Sequence, residues 1–330
     1  FAQLSNGLDP QEAKEMIALC NSYTYLDLYG DDRDIIPKGY EKIYTSKTMG
    51  MDNKFQVYTN GKVGVINFRG STDKKSSWLE NIYSAMIPVE GEIVFDDRTF
   101  NYKFGKDTSS NVHSGYTLGL AYLSEDLIQQ IDELNKRGIH DIILTGHSQG
   151  GALAILTRAY LAYSPQPKLR TGNTYKVYTF AQPMVGNREF VREYDALFCA
   201  TEMSYSMINP LDAVPNMPLS YNDSTYLKDN LMTLLFKKDE FDGTKMLKDG
   251  LLTLFKDKLS GTVSKFGAAV GKQIEKELGK ITLPEPTGDI NFKQVGNLIL
   301  LPAPEYPLEL KDPTVLKNKE FMKAHPRDRN

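Results

Sequence analysis

A chain of 330 residues with 41% hydrophobic and 25% charged side chains has the composition of a globular protein, long enough for one large α/β domain or for a domain with a sizeable insertion. A net charge of −3 offers no electrostatic footprint for nucleic acid, and no uninterrupted apolar run approaches a membrane span. Cys20 and Cys199, far apart in sequence, could close one large loop or stay as two unpaired thiols, and no cluster of His, Cys and Asp suggests a metal. No cofactor is expected.

In chain order, Asp9 and Pro10 open a helical pattern over 9–30, with Ala13, Met16, Ile17, Cys20 and Tyr23 on one face. Two alternating apolar runs flank Asn60-Gly61, the strongest short hairpin signal, and the second run ends in Arg69-Gly70-Ser71-Thr72. Residues 76–85 read as helical around Trp78, 92–104 as a hairpin through Asp96-Asp97, and V-H-S-G at 112–115 leads into a long helix closed by Gly138. A short apolar strand then reaches G-H-S-Q-G at 146–150, followed at once by an Ala/Leu-rich helix. Residues 175–180 read as a buried strand, 187–197 as a helix and 203–208 as another strand, ending in N-P-L-D-A-V-P at 209–215. Strands alternating with helices predict a mostly parallel α/β sheet covered on both faces, with an antiparallel N-terminal margin.

From about residue 227 the character changes. Residues 228–280 hold eleven Lys, eight acidic side chains and no Arg, threaded through apolar runs and broken near Asp242-Gly243 and Ser260-Gly261. Two or three amphipathic helices fit this pattern. A β pattern returns over 291–301, and a helical piece over 314–324 precedes His325. The domain reading is therefore one catalytic body, 1–222 with 286–330, and a helical insertion, 223–285.

The stretch 142–160 carries the chemistry. Strand, sharp turn and helix form the context of a G-x-S-x-G nucleophile elbow, with Ser148 at the apex and glycines at 146 and 150 where a β-carbon would collide as the chain doubles back. A serine hydroxyl needs a general base, and the base needs an orienting carboxylate. Of the four histidines, His147 points away from the apex, His140 precedes the nucleophile strand and His113 stands ahead of a helix, so His325 is the best base; it alone satisfies the chain order Ser, Asp, His. Asp212 follows a strand placed after the nucleophile strand, where ligand-facing loops sit, and is preferred to Asp223 and Asp195 as the acid. For the oxyanion, the backbone N–H of Gln149 is one donor and Ser71, through N–H and hydroxyl, the other.

These segments together resemble the class 3 lipases, the fungal-type lipase family of the α/β-hydrolase fold. The blocks are F-R-G-S at 68–71 with Trp78, V-H-S-G at 112–115, G-H-S-Q-G-G at 146–151, F-A-Q-P-M-V-G at 180–186 and N-P-L-D-A-V-P at 209–215, with a weaker return at 292–296. The resemblance implies a serine carboxylester hydrolase for lipid esters, with Ser148 as nucleophile, Asp212 as triad acid and Ser71 as oxyanion donor. Triacylglycerol is the leading substrate; phospholipids and feruloyl-type esters compete within the class, an acyltransferase would use the same triad, and an inactive lipid-binding protein would keep the fold without the chemistry. The family's histidine usually has an aromatic residue after it, whereas Pro326 follows His325 here, and the Lys-rich stretch lengthens the chain between acid and base. That stretch is expected to cap the site or to rest on a lipid–water interface, with 74–81 as a competing lid and a helical decoration or dimer surface as the plain alternative. Beginning at Phe1, the chain is expected to be processed or trimmed, and secreted or held in the cell envelope, with a cytoplasmic location left open; oligomeric state is not legible.

Overall fold

Asp9 starts the first helix as its side chain predicts. Its Oδ1 accepts the backbone N–H of Gln11 (2.8 Å) and of Glu12 (3.2 Å), two donors that the first helical turn leaves without partners. A computed structural model of the chain describes residues 4–29, 35–72, 77, 80–81, 83–212, 214–218, 274, 278–289 and 291–301, with backbone alone for 22–29 and 168. The insertion up to 273, the helical piece 314–324, Trp78, Asp223 and His325 lie outside the described residues.

After α1 (Pro10–Tyr29) come β1 (Glu41–Thr45), β2 (Phe55–Thr59) and β3 (Val63–Phe68). The Asn60-Gly61 turn forms between β2 and β3: Asn60 Oδ1 accepts from the N–H of Lys62 and Val63, and Gly61 takes φ +85°. Next are β4 (Met86–Pro88), β5 (Glu90–Phe95), β6 (Thr99–Lys103), β7 (Asn111–His113) and α2 (Ser114–Lys136), the last ending two residues before Gly138 at φ +77°. The second half contributes β8 (Asp141–His147), α3 (Gln149–Tyr163), α4 (Pro167–Thr171), β9 (Thr174–Phe180), β10 (Gly186–Asn187), α5 (Arg188–Tyr194) and β11 (Ser204–Ile208). The closing strands are β12 (Ile281–Thr282), β13 (Phe292–Lys293) and β14 (Asn297–Leu300).

Seven strands form the central sheet in the order β1-β2-β3-β8-β9-β11-β14. The pairs β1–β2 and β2–β3 are antiparallel, and every pair from β3 to β14 is parallel. Alternation along the strands distributes the side chains. Ile66, Ile142, Leu144 and Val177 face α2 and α3, with Leu118, Leu127, Leu153 and Leu156 against them. Val65, Ile143, Tyr178 and Tyr205 face the other way and meet Met16, Leu19 and Cys20 of α1. Each such side chain, when fully buried, stabilises the fold by about 1.5–3 kcal/mol relative to exposure. A helix on each face of a mainly parallel sheet, with β8 feeding a sharp turn into α3, is the α/β-hydrolase arrangement.

One ionic contact pins α1 to the sheet. The Lys176 side chain on β9 is fully buried, and its Nζ reaches Glu12 Oε2 at 2.7 Å and the Ser5 carbonyl at 3.0 Å, while the Tyr178 hydroxyl donates to the same carboxylate at 2.8 Å. The two cysteines form no disulfide: Cys20 Sγ donates to Asn67 Oδ1, and Cys199 Sγ to Asp195 Oδ1.

Two smaller sheets stand beside the main one: β13-β10-β7-β4, and β12-β5-β6. The β5–β6 hairpin matches the expected hairpin at 92–104. β12 pairs with β5, and Ile274, 2% exposed, belongs to the main core, so the last residues of the 223–285 segment pack into the body. Among the described residues, no helix is long and apolar enough to cross a membrane, and no group of His, Cys, Asp and Glu could hold a metal.

Candidate active site

Ser148 stands between β8 and α3 with φ 56° and ψ −128°, a conformation that a residue with a β-carbon rarely adopts. The turn is held from both sides: the Ser148 N–H donates to the Phe180 carbonyl at the end of β9 (2.9 Å), and the Ser148 carbonyl accepts from Gly151 (2.9 Å). The flanking glycines are there because there is no room. A β-carbon on Gly146 would lie 2.3 Å from the backbone of Gly150, and one on Gly150 would lie 2.1 Å from the Phe68 carbonyl oxygen. Ser148 is 9% exposed, and its hydroxyl makes no hydrogen bond to a described residue.

The loop leaving β3 lies against this elbow. A β-carbon on Gly70 would fall 2.8 Å from the His147 carbonyl oxygen and 3.7 Å from Ser148 Cβ, so only glycine lets the two backbones come this close. Ser71 is thereby brought to the N-terminus of α3. Its hydroxyl donates to Gln149 Oε1 at 2.9 Å, Ser77 donates to the same oxygen at 3.1 Å, and Asn81 Nδ2 donates to Ser71 Oγ at 2.8 Å. In this arrangement the Ser71 hydroxyl proton is committed to the Gln149 side chain, and the N–H of Ser71 is its remaining donor.

Asp212 sits past the C-terminal end of β11, two strands from β8 in the same parallel row, and so at the same edge of the sheet as Ser148. It is 3% exposed; its Oδ1 accepts the Val214 N–H (3.0 Å), its own N–H goes to the Asn209 carbonyl (2.9 Å), and Asn209 Oδ1 accepts from Leu211. Asp212 is therefore presented by a turn whose shape its own side chain maintains. Of the lesser acid candidates, Asp195 is committed to the Cys199 thiol and the Gly296 N–H.

The remaining histidines have other work. His113 is fully buried at the N-cap of α2, where its Nδ1 accepts from the Tyr116 N–H, and burial pushes its pKa down to about 3. His140 is exposed and lies just before β8, at the opposite end of that strand from Ser148.

Three polar groups around Ser71 escape sequence reasoning: Asn53, Glu80 and Asn81. Asn53 precedes β2, whereas Glu80 and Asn81 are neighbours beyond the Ser71 loop, and no spacing links either segment to the elbow. The one local signal is Gln149 itself, a polar side chain opening an otherwise apolar helix.

Residues 65–222, just under half of the chain, match the family model for lipase (class 3). This segment belongs to the class 3 lipase family. Triacylglycerol lipase OBL1 of Arabidopsis thaliana is 28% identical over 207 residues, 55% of this chain and 38% of that protein. Lipase ZK262.3 of Caenorhabditis elegans is 39% identical over 87 residues, 26% of this chain and 23% of its own. The chain thus spans well under half the length of these curated relatives. Rhizomucor miehei triacylglyceride lipase aligns in shape over 64% of this chain and 76% of its own, at 21% identity and TM-score 0.48, a likeness too loose to transfer residue roles. The lipase segment contains the elbow, the Ser71 loop and Asp212, and ends well before His325.

Proposed function

We propose that the protein is a serine carboxylester hydrolase acting on lipid esters, with triacylglycerol as its leading substrate. The observation that carries the reading is Ser148, held at φ 56° on a glycine-flanked turn between a parallel strand and a helix. The backbone accepts strain of roughly 1–3 kcal/mol there, and the useful return is a hydroxyl projected above the sheet edge at the positive end of a helix. Membership of residues 65–222 in the lipase family supports the same reading.

In the proposed reaction Ser148 Oγ attacks the ester carbonyl while His325 accepts its proton, and Asp212 orients and stabilises the imidazolium that forms. The tetrahedral oxyanion is received by the backbone N–H groups of Gln149 and Ser71, with the Ser71 hydroxyl held aside on the Gln149 amide. The alcohol leaves with the proton from His325, and water repeats the sequence on the acyl-enzyme. None of these steps calls for a metal or an organic cofactor. The Lys-rich segment 223–285 is the proposed contact with a lipid–water interface.

A chain-length series of acylglycerols, phospholipids and aryl esters, run on wild type and Ser148→Ala, tests the proposal. Long-chain acylglycerol turnover that disappears in Ser148→Ala supports it. A preference for phospholipid or aryl esters would move the substrate class, and turnover surviving in Ser148→Ala would remove Ser148 from the mechanism.

A further inference from the structure

Glu80 is a fully buried carboxyl that the proposed reaction does not use. Its Oε2 accepts from Asn53 Nδ2 at 2.6 Å, and its Oε1 has no hydrogen-bond partner among the described residues. Room for it is made by α2: a β-carbon on Gly119 would lie 2.4 Å from Oε1, and one on Gly115 would lie 2.1 Å from the Glu80 carbonyl oxygen. The helix is therefore shaped around this side chain.

The hydrogen bonds leading away from Glu80 have a fixed direction. Because Asn53 gives its NH2 to the carboxyl, its Oδ1 faces Gln149 and accepts from Nε2 at 3.4 Å. Gln149 must then turn its Oε1 the other way, toward the hydroxyls of Ser71 (2.9 Å) and Ser77 (3.1 Å). A second arm reaches Ser71 from α2, where the Tyr116 hydroxyl donates to Asn81 Oδ1 (3.0 Å) and Asn81 Nδ2 donates to Ser71 Oγ (2.8 Å). An amide can flip, whereas a carboxyl oxygen facing an NH2 group cannot be replaced by a donor without leaving two donors face to face. Gln149 and Ser71 are also the two residues whose N–H groups would receive the oxyanion, so their side chains tie the two donors together.

We propose that Glu80 is a positioning residue for the oxyanion site: acting through Asn53, it sets the direction of the Gln149 amide, which holds Ser71 and fixes the spacing of the two backbone donors. The proposal rests on the hydrolase reading above. Its protonation follows from the surroundings. Burial pushes the Glu80 carboxyl up to about 8, the hydrogen bond from Asn53 and the nearby Gln149 amide pull it back, and the Asp52 charge adds to the rise. Asp52 is itself paired with Arg69 at 3.0 Å; on the α2 side stand the Tyr116 phenol, raised well above its ordinary range, and the neutral His113. At neutral pH Glu80 is thus an uncharged acid. Above about pH 8 it would place a negative charge beneath the groups that must stabilise an oxyanion.

The test is a double-mutant cycle on p-nitrophenyl butyrate hydrolysis. Glu80→Met, which removes the acceptor, is expected to lower kcat roughly tenfold with KM unchanged within about twofold, and to cost nothing further in a Ser71→Ala background. Glu80→Gln keeps shape and acceptor; it should retain kcat at pH 7 and lose the fall in kcat above about pH 8, which keeps the test open if Glu80→Met does not fold. Independent, additive losses, a change confined to KM, or an alkaline fall that persists in Glu80→Gln would overturn the proposal. Wild type that hydrolyses the ester while the cycle is additive removes only the role of Glu80; wild type that neither hydrolyses it nor takes a fluorophosphonate removes the hydrolase reading itself.

Discussion

Replacing Ser148 by glycine and by alanine separates backbone strain from chemistry. Both variants lack the hydroxyl, so both should be inert, but only glycine relaxes φ 56° and ψ −128°. A residue with a β-carbon in such a region costs about 1–3 kcal/mol. Glycine recovers this and gives back about 0.4–1 kcal/mol through the greater freedom of the unfolded chain. Ser148→Gly should therefore be about 1–2 kcal/mol more stable than Ser148→Ala. For a chain of this size that corresponds to a melting point about 1.5–3 °C higher. Paired thermal melts in one buffer read the difference, with circular dichroism confirming the fold. A glycine variant melting at or below the alanine variant would refute the claim that the elbow stores strain at Ser148.

Four further outcomes follow from the same geometry. Gly150→Ala drives a β-carbon to within 2.1 Å of the Phe68 carbonyl oxygen; it should cost about 1–3 kcal/mol in urea unfolding, and, by moving the apex, roughly 100-fold in kcat. Asp212→Asn should leave the melt nearly unchanged and lower kcat about 10⁴-fold, by analogy with loss of the orienting carboxylate in other serine triads; a drop below tenfold would point to another acid. Glu12→Ala leaves the buried Lys176 ammonium without its carboxylate and should destabilise by about 3–5 kcal/mol, whereas Glu12→Leu with Lys176→Met should recover most of the loss. His113 carries a pH dependence: its folded pKa lies near 3, below the ordinary 6.5, so protons bind the unfolded chain first and stability is lost as pH falls from about 6.5 toward 3. At pH 4.5 this amounts to about 2–3 kcal/mol, and His113→Asn, which can still cap α2, should show a correspondingly flatter urea-stability profile between pH 7 and 4.5.

The parts of the fold legible in the sequence are those where one local rule decides the outcome. The Asn60-Gly61 hairpin follows from a positive φ, the end of α2 from Gly138, and the elbow from glycines that sterics demand at 146 and 150. Most of the main sheet was readable because its strands are five to seven residues long and apolar on both faces; β1, exposed or half-buried along its length and irregular in register between Lys42 and Tyr44, was not. Hidden from view were β4, β7, β10 and β13, two or three residues each, too short to show any alternation. The break at Gly296, φ +100°, likewise splits the expected 291–301 strand into β13 and β14, because a β-carbon there would lie 2.2 Å from Ser206 Oγ. In the candidate site, Ser148, Asp212 and Ser71 are proposed from motif and chain order. The Asn53, Glu80 and Asn81 shell could not, since tertiary contact alone joins these residues to Gln149 and Ser71. His325 rests on chain order and elimination, and lies outside the described residues.

An activated nucleophile at Ser148 should be open to covalent capture. The folded protein is treated with a fluorophosphonate while lipid-ester hydrolysis is followed, and the modified peptide is located by mass spectrometry. One adduct is expected, on Ser148, formed at the same rate as activity is lost. A folded, ester-hydrolysing protein that carries its adduct on another residue, or that keeps its activity after Ser148 is fully modified, would contradict it.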